Sequence, residues 1–233
     1  MPASRRILAF DFSYGPLAAA LLADGRIVAA TGAAAPGTDR AEALVPALDA
    51  LLREAGWSWS AVDLLAVGCG PGSFTGIRAA VAAARGLALA TGRPVLPLGT
   101  LDLLEQSARA TFGLAGPLLV AAPGKRGSWY ARRFEADGEA DTPAGEIGTE
   151  TLSDLAAEVG AVVGVRVGRL RGFAPGASLH EIAVSAAGLQ RLVRRALETG
   201  RSPVAGPAVE PVYLRGADAD PRAGLPLLER VAG

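Results

Sequence analysis

One cysteine and one histidine, Cys69 and His180, are all that 233 residues offer of the side chains that bind soft metals. No internal disulfide can form, and a zinc site built mainly from His and Cys has no ligand set. Lysine is as scarce: Lys125 stands alone among arginines. Aromatic residues make up 5% of the chain. No uncharged apolar run reaches the roughly 18 residues that a membrane helix needs. The opening "MPASRRILAFDFS" carries two arginines, but its apolar run stops at Asp11, too short for a signal-peptide core. An excess of charge is missing as well, since Lys+Arg and Asp+Glu number 23 each. That balance argues against a protein that grips nucleic acid unaided. A cytoplasmic protein without a membrane anchor is expected.

Half of the residues are hydrophobic, ample for a core. "ILAFD", "LAAALL" and "IVAAT" read as three strands, with Asp24-Gly25 as a hairpin turn between the last two. A helix over residues 42–56 follows, with Leu44, Leu48, Leu51 and Leu52 at helical spacing, Pro46 in its first turn and Gly56 at its end. "VDLLAVG" is a continuous apolar strand, as expected for one buried on both faces. A glycine-rich loop, a helix to Thr91, the strand "VLPL" and the helix "TLDLLEQSARA" complete a βββαβαβα order over about residues 7–111.

The order then begins again. "PLLVAAP" and "SWYARRFEADGE" read as two strands closed by Asp137-Gly138. "TLSDLAAEVG" is a short helix opened by Thr151 or Ser153, "AVVGVRVG" a strand, "SAAGLQRLVRRALETG" a helix and "VEPVYLR" an extended piece. Two units of similar order imply a duplicated α/β fold, with lobes over residues 1–111 and 112–233 and an eroded second copy. The tail from Gly216 carries no expectation.

"VGCGPGSFTGIR", Val67 to Arg78, is the most distinctive stretch. Strand-to-helix glycine loops hold phosphate in many proteins, yet this one lacks both the Walker pattern and GxGxxG. Cys69 at its mouth has no local base to make it a nucleophile, so a buried structural role is expected. Ser73 is not in a GxSxG elbow, and His180 reads as an ordinary surface or half-buried histidine. After the loop, Ala79, Ala83, Gly86 and Ala90 form a stripe of small side chains that lets another helix or a sheet approach closely. Ile77, Val81, Ala84 and Ala88 occupy another face. A helix apolar on two faces is either deeply buried or covered by a partner, and periodicity leaves both open. Arg191, Arg194 and Arg195, and separately Arg166, Arg169 and Arg171, make arginine groups that read as solvated faces, with RNA phosphate as the alternative.

"ILAFDFS", "AEALVPALDALL", "DLLAVGCGPGSFTGIRAAVAAARGLAL" and "PVYLR" resemble the bacterial TsaB (YeaZ) family over about residues 7–215. The resemblance implies the actin/Hsp70/sugar-kinase (ASKHA) fold. It also implies a non-catalytic role in making N6-threonylcarbamoyladenosine beside the anticodon of tRNAs that read codons beginning with A. The expected partners are the paralogue TsaD, which holds the metal and transfers the threonylcarbamoyl group, and the ATPase TsaE. A homodimer is possible when the chain is alone, and tRNA is reached through the complex. By the same resemblance, helices near 43–55 and 77–91 form the dimer face, which places Leu44, Ala47, Leu48, Leu51 and Ile77 beside the stripe residues as interface residues.

No cofactor of its own is expected; ATP and metal belong to the partners. Asp11, Ser13, Gly70 and Gly72 are vestigial nucleotide candidates at most. Family members usually have a histidine where Ala41 stands and a threonine where Phe12 stands. Their second-hairpin aspartate falls near Pro123, where no carboxylate exists. Related kinases place acids in both hairpins around Mg-ATP. An ATP-dependent small-molecule kinase or a glycoprotease-like hydrolase of the same fold therefore remains only the alternative.

Overall fold

Alternation along the strands decides the layering. In β1 (Arg6–Asp11), Leu8 and Phe10 join one hydrophobic cluster while Ile7 and Ala9 join another on the opposite face. With a side-chain period of two, such a strand has to be covered on both sides. A computed structural model describes residues 5–31 and 40–214. In it, β2 (Ala18–Ala23) and β3 (Arg26–Ala30) follow β1 as a meander. Asp24 and Gly25 both have positive φ, +51° and +72°, as the tight turn between these strands requires.

Next come α1 (Leu44–Glu54), β4 (Leu64–Gly68), α2 (Phe74–Thr91), β5 (Val95–Leu98) and α3 (Thr100–Phe112). The second half contains β6 (Leu118–Pro123), β7 (Trp129–Phe134), β8 (Gly145–Ile147), α4 (Thr149–Ala157), β9 (Ala161–Gly164), β10 (Ser178–Glu181) and α5 (Ala186–Glu198). The two five-stranded sheets have orders β3-β2-β1-β4-β5 and β8-β7-β6-β9-β10. In each, the first strand pairs antiparallel with the second and parallel with the fourth. The duplication is therefore visible in the topology. Its erosion is local: where α2 joins β4 to β5, a 3-10 turn at Val167–Leu170 joins β9 to β10.

Helices α1 and α2 cover the outer face of the first sheet through Leu48, Leu52, Ile77 and Val81. Helix α4 and the 3-10 turn cover the outer face of the second through Leu152, Val167 and Leu170. Between the sheets lie α3 and α5, whose Leu103, Leu104, Leu189 and Val193 share one cluster with Ile7, Leu118 and Val120. Layers of helix, sheet, helix, sheet and helix result.

Several sequence expectations are corrected. α2 begins at Phe74 rather than near residue 77, because the Ser73 hydroxyl accepts the Gly76 N–H and caps the helix. α4 begins after Gly148, with Thr151 and Ser153 inside it; the Ser153 hydroxyl donates to the Phe173 carbonyl instead. The turn between β6 and β7 is Gly124–Ser128, and Asp137-Gly138 turns the chain after β7. β9 stops at Gly164, short of the expected strand end. β8 and β10 are too short and polar to have been recognised. Residues 209–214 form no strand, although the Val212 N–H donates to the Cys69 carbonyl at 2.7 Å. The tail from Gly216 lies outside the described residues.

Gly188 sets the spacing of the middle layer. A Cβ there would overlap Ser107 Oγ and lie 2.9 Å from the Ser107 amide nitrogen. Gly188→Ala should therefore destabilise the fold by about 1–3 kcal/mol, even after the gain of about 1 kcal/mol in helix propensity. Gly86, in α2, has nothing within 4 Å of a built Cβ, and Gly86→Ala should stabilise by up to about 1 kcal/mol. Urea titration of both variants checks the opposite signs.

Candidate functional site

The glycine loop leaves β4 and folds back onto the chain's own first turn. A Cβ at Gly68 would overlap Asp11 Oδ2, and one at Gly76 would overlap the Phe12 carbonyl. Only glycine allows this approach. The loop is further held by Ser73 N–H to Ser13 O at 2.8 Å and by Thr100 N–H to Gly70 O at 2.8 Å. Gly70, at φ +111°, donates its own N–H to Thr100 Oγ1 at 3.1 Å.

Asp11 is sealed beneath this loop. Its carboxylate accepts the Ser13 N–H at 3.0 Å and the Ser13 hydroxyl at 2.8 Å, with Thr100 Oγ1 at 3.4 Å. Asp11, Ser13 and Thr100 are all buried. Burial raises the Asp11 carboxyl above its ordinary 3.8, opposed by the hydrogen bonds from Ser13 and Thr100. Of the four nucleotide candidates, only Gly72 reaches an open surface; Asp11, Ser13 and Gly70 point their polar groups into the protein. Among the described residues, no three His, Cys, Asp or Glu side chains lie close enough to share a metal ion. A magnesium nucleotide, held in related kinases by acids from both hairpins, does not fit this donor set.

A cleft of about 720 Å³ opens between the lobes. Arg78, Lys125 and Arg166 line it, together with Tyr14, Phe74, Tyr130 and Tyr213. Among the described residues, no carboxylate lines it. The Tyr14 hydroxyl donates to the Pro123 carbonyl at 2.9 Å, linking the two lobes across the cleft. A second cavity of about 410 Å³, between α3, β7 and α5, differs in kind. There Arg132 pairs with the part-buried Asp102 at 3.1 Å and Arg195 pairs with Glu139 at the exposed rim, so these charges are matched.

Cys69 is buried, and burial pushes its thiol up to about 12, which keeps it protonated and unreactive at neutral pH. His180 lies on β10, its ring tilted at 43° to that of Phe112 with centroids 4.8 Å apart, and 3.0 Å from the Ser178 hydroxyl. Of the α5 arginines, Arg191 donates to Gln106, Arg194 pairs with Glu198 and Arg195 with Glu139. Arg166 alone of the six singled-out arginines lines the cleft.

The expected interface residues divide. Leu44, Leu48, Leu51 and Ile77 are at most 3% exposed and pack onto the first sheet, so they cannot themselves touch a partner. The correction has a simple cause: a leucine stripe at helical spacing is what a helix buries against its own sheet. Ala47, Ala79 and Ala83 are half-buried, whereas Gly86 and Ala90 are exposed. Val45 and Leu89, 41% and 85% exposed, add apolar surface that sequence reasoning missed. Their signal was an apolar side chain off the buried stripe. No described helix is long and apolar enough to cross a membrane.

The repeated sheet order and the lobes facing across a cleft define a protein of the actin/Hsp70/sugar-kinase fold class. The family model described as TsaD, tRNA N6-adenosine threonylcarbamoyltransferase, matches residues 37–199. The tRNA threonylcarbamoyladenosine biosynthesis protein TsaB of Escherichia coli (strain K12) is 32% identical over 132 residues, 57% of this chain and 56% of its own length. The chain thus spans about half the length of that relative. A crystal structure of a Pseudomonas aeruginosa protein with similarity to peptidase YeaZ is 30% identical, with a TM-score of 0.79, covering 91% of this chain and 100% of that one. YeaZ from Pseudomonas aeruginosa is 28% identical with a TM-score of 0.75, over 90% of this chain and 100% of its own. The chain belongs to the TsaB/YeaZ family.

Two outcomes check the buried groups. Because the Asp11 carboxyl is raised on folding, its contribution to stability is fully present below 3.8 and is lost as pH rises through the folded value. Asp11→Asn stays neutral, so its unfolding free energy should gain on that of the wild type as pH climbs above 3.8 in urea titrations. Cys69 should react with a thiol reagent only after unfolding; rapid native labelling would contradict its burial.

Proposed function

We propose that this chain is the non-catalytic partner in forming N6-threonylcarbamoyladenosine on tRNAs that read codons beginning with A, pairing with TsaD and working with TsaE. The observation that carries this reading is the outward face of α2. Gly86, Leu89 and Ala90 are exposed there, Val45 is exposed on α1, and small side chains let another helix come close. The names of the relatives supply the pathway: tRNA threonylcarbamoyladenosine biosynthesis for the Escherichia coli protein, and the transferase for the family model.

The sealed Asp11 supports a role without chemistry of its own, with ATP and metal handled by the partner subunits. In isolation, the same helical face would close on a second copy. A small-molecule kinase or glycoprotease-like hydrolase has less support, because the carboxylate such chemistry would use is engaged by Ser13 and Thr100.

Gly86→Leu tests the face, since a side chain at 86 meets nothing within 4 Å in the chain itself. The variant should be at least as stable as the wild type, given its gain in helix propensity, yet bind TsaD roughly 5- to 150-fold more weakly, the effect of about 1–3 kcal/mol of overpacking. Size-exclusion co-elution at micromolar concentration reads it. Depleting the chain should lower threonylcarbamoyladenosine in digested tRNA; unchanged modification would refute the reading.

A further inference from the structure

We propose that the cleft between the lobes holds a short single-stranded RNA segment, with phosphates on Arg78, Lys125 and Arg166 and an unstacked base on Phe74 and Tyr213. The proposal rests on the reading above, in which tRNA is the substrate of the assembly.

Charge comes first. Among the described residues, none of the three cleft cations has a carboxylate partner; the ion pairs of the second lobe and α5, such as Arg132–Asp102 and Arg195–Glu139, lie elsewhere. Glu146 Oε1 accepts the Lys125 backbone N–H and the Ser128 hydroxyl, not the Lys125 ammonium. An ordinary solvated face mixes both signs, whereas the charged side chains among the described lining residues are all cations, with the Glu146 carboxylate close by Gly124 and Tyr130. A magnesium-chelated triphosphate would need carboxylates here. A phosphodiester needs only the cations.

Aromatic surface comes second. Phe74 and Tyr213 are 54% and 44% exposed, with ring centroids 6.2 Å apart. Arg78 lies 3.7 Å over the Phe74 ring, and its Nε donates to the Tyr213 hydroxyl at 2.9 Å. Large exposed rings beside unpaired cations are what single-stranded nucleic acid uses, base on ring and phosphate on cation.

Backbone comes third. Arg126, next to Lys125, and Arg166 both take left-handed φ values, +51° and +55°, which residues with a Cβ rarely adopt. Such conformations persist where the surroundings fix them, and they gather at ligand sites. The Tyr14–Pro123 hydrogen bond joins the two walls.

Fluorescence anisotropy of the full chain with a labelled single-stranded RNA of about ten nucleotides tests this. Binding should weaken with salt at a log–log slope of about −2, as about 0.7 per phosphate for three contacts requires. Arg78→Ala, Lys125→Ala and Arg166→Ala should each flatten the slope by about 0.7. Tyr213→Ala should weaken binding roughly 5- to 150-fold with the slope retained. No binding at about 100 μM chain, or slopes indifferent to all three substitutions, would overturn the proposal. Duplex RNA binding equally well would do the same. ADP in EDTA displacing the RNA as readily as unlabelled RNA would make the cleft a small-anion site instead. If tRNA modification persists in depleted cells, the reading beneath fails. If modification needs the chain while the cleft variants bind RNA like the wild type, the cleft proposal alone fails.

Discussion

The absence of room between the glycine loop and the Asp11–Ser13 turn organises the first lobe. Side chains at Gly68 and Gly76 would occupy the space of Asp11 and of the Phe12 carbonyl, so β1 and the start of α2 are locked at backbone distance. Thr100 completes the lock, since its backbone and hydroxyl both reach Gly70 while its hydroxyl also meets Ser13 at 2.9 Å. Three elements from different parts of the chain thus converge on one carboxylate. The orientation of α2 follows, and with it the outward face of that helix and the placement of Phe74 and Arg78 at the cleft.

Much of this architecture is legible in the sequence, for identifiable reasons. β1, β2 and β4 are apolar on both faces, and that pattern has few meanings in a chain of alternating strands and helices. Asp24-Gly25 gave its turn, and Ser185 opened α5 with its side chain on the Gly188 N–H. The failures were equally physical. β8 and β10 owe their existence to neighbours that pair with them, which three or four residues such as "GEI" and "SLHE" do not announce. Asp137-Gly138 turns the chain after β7 rather than between β6 and β7, because a turn signal does not say which two strands it joins. The periodicity of Leu44, Leu48 and Leu51 describes burial without saying against what, and the structure buries them on their own sheet. The cleft was invisible, since Arg78, Lys125, Arg166 and Tyr213 come from four separate segments.

The two cavities differ in how they treat charge. Around α3 and α5, arginines and carboxylates neutralise each other, including the buried pair of Arg109 with Glu105, and the polar groups serve cohesion. Removing one partner of such a pair leaves an uncompensated buried charge, which is costly. At the cleft, like charges face an open space beside aromatic rings. A net charge of zero over the whole chain conceals this separation.

The middle helical layer has a consequence for the order in which the chain can settle as it leaves the ribosome. The inner face of the first sheet, including Ile7, Ala9 and Leu22, shares its cluster with Leu189, Val193 and Ala196 of α5. Gln190 on α5 donates to the Gly25 carbonyl at the β2–β3 turn, 165 residues earlier. The residues through α5 must therefore emerge before the first sheet gains its full cover. Until then an apolar surface stands open on the nascent N-terminal half, at risk of chaperone capture or misassociation. Vectorial synthesis and the final topology run against each other here, and α5 closes the layer on which both halves rest.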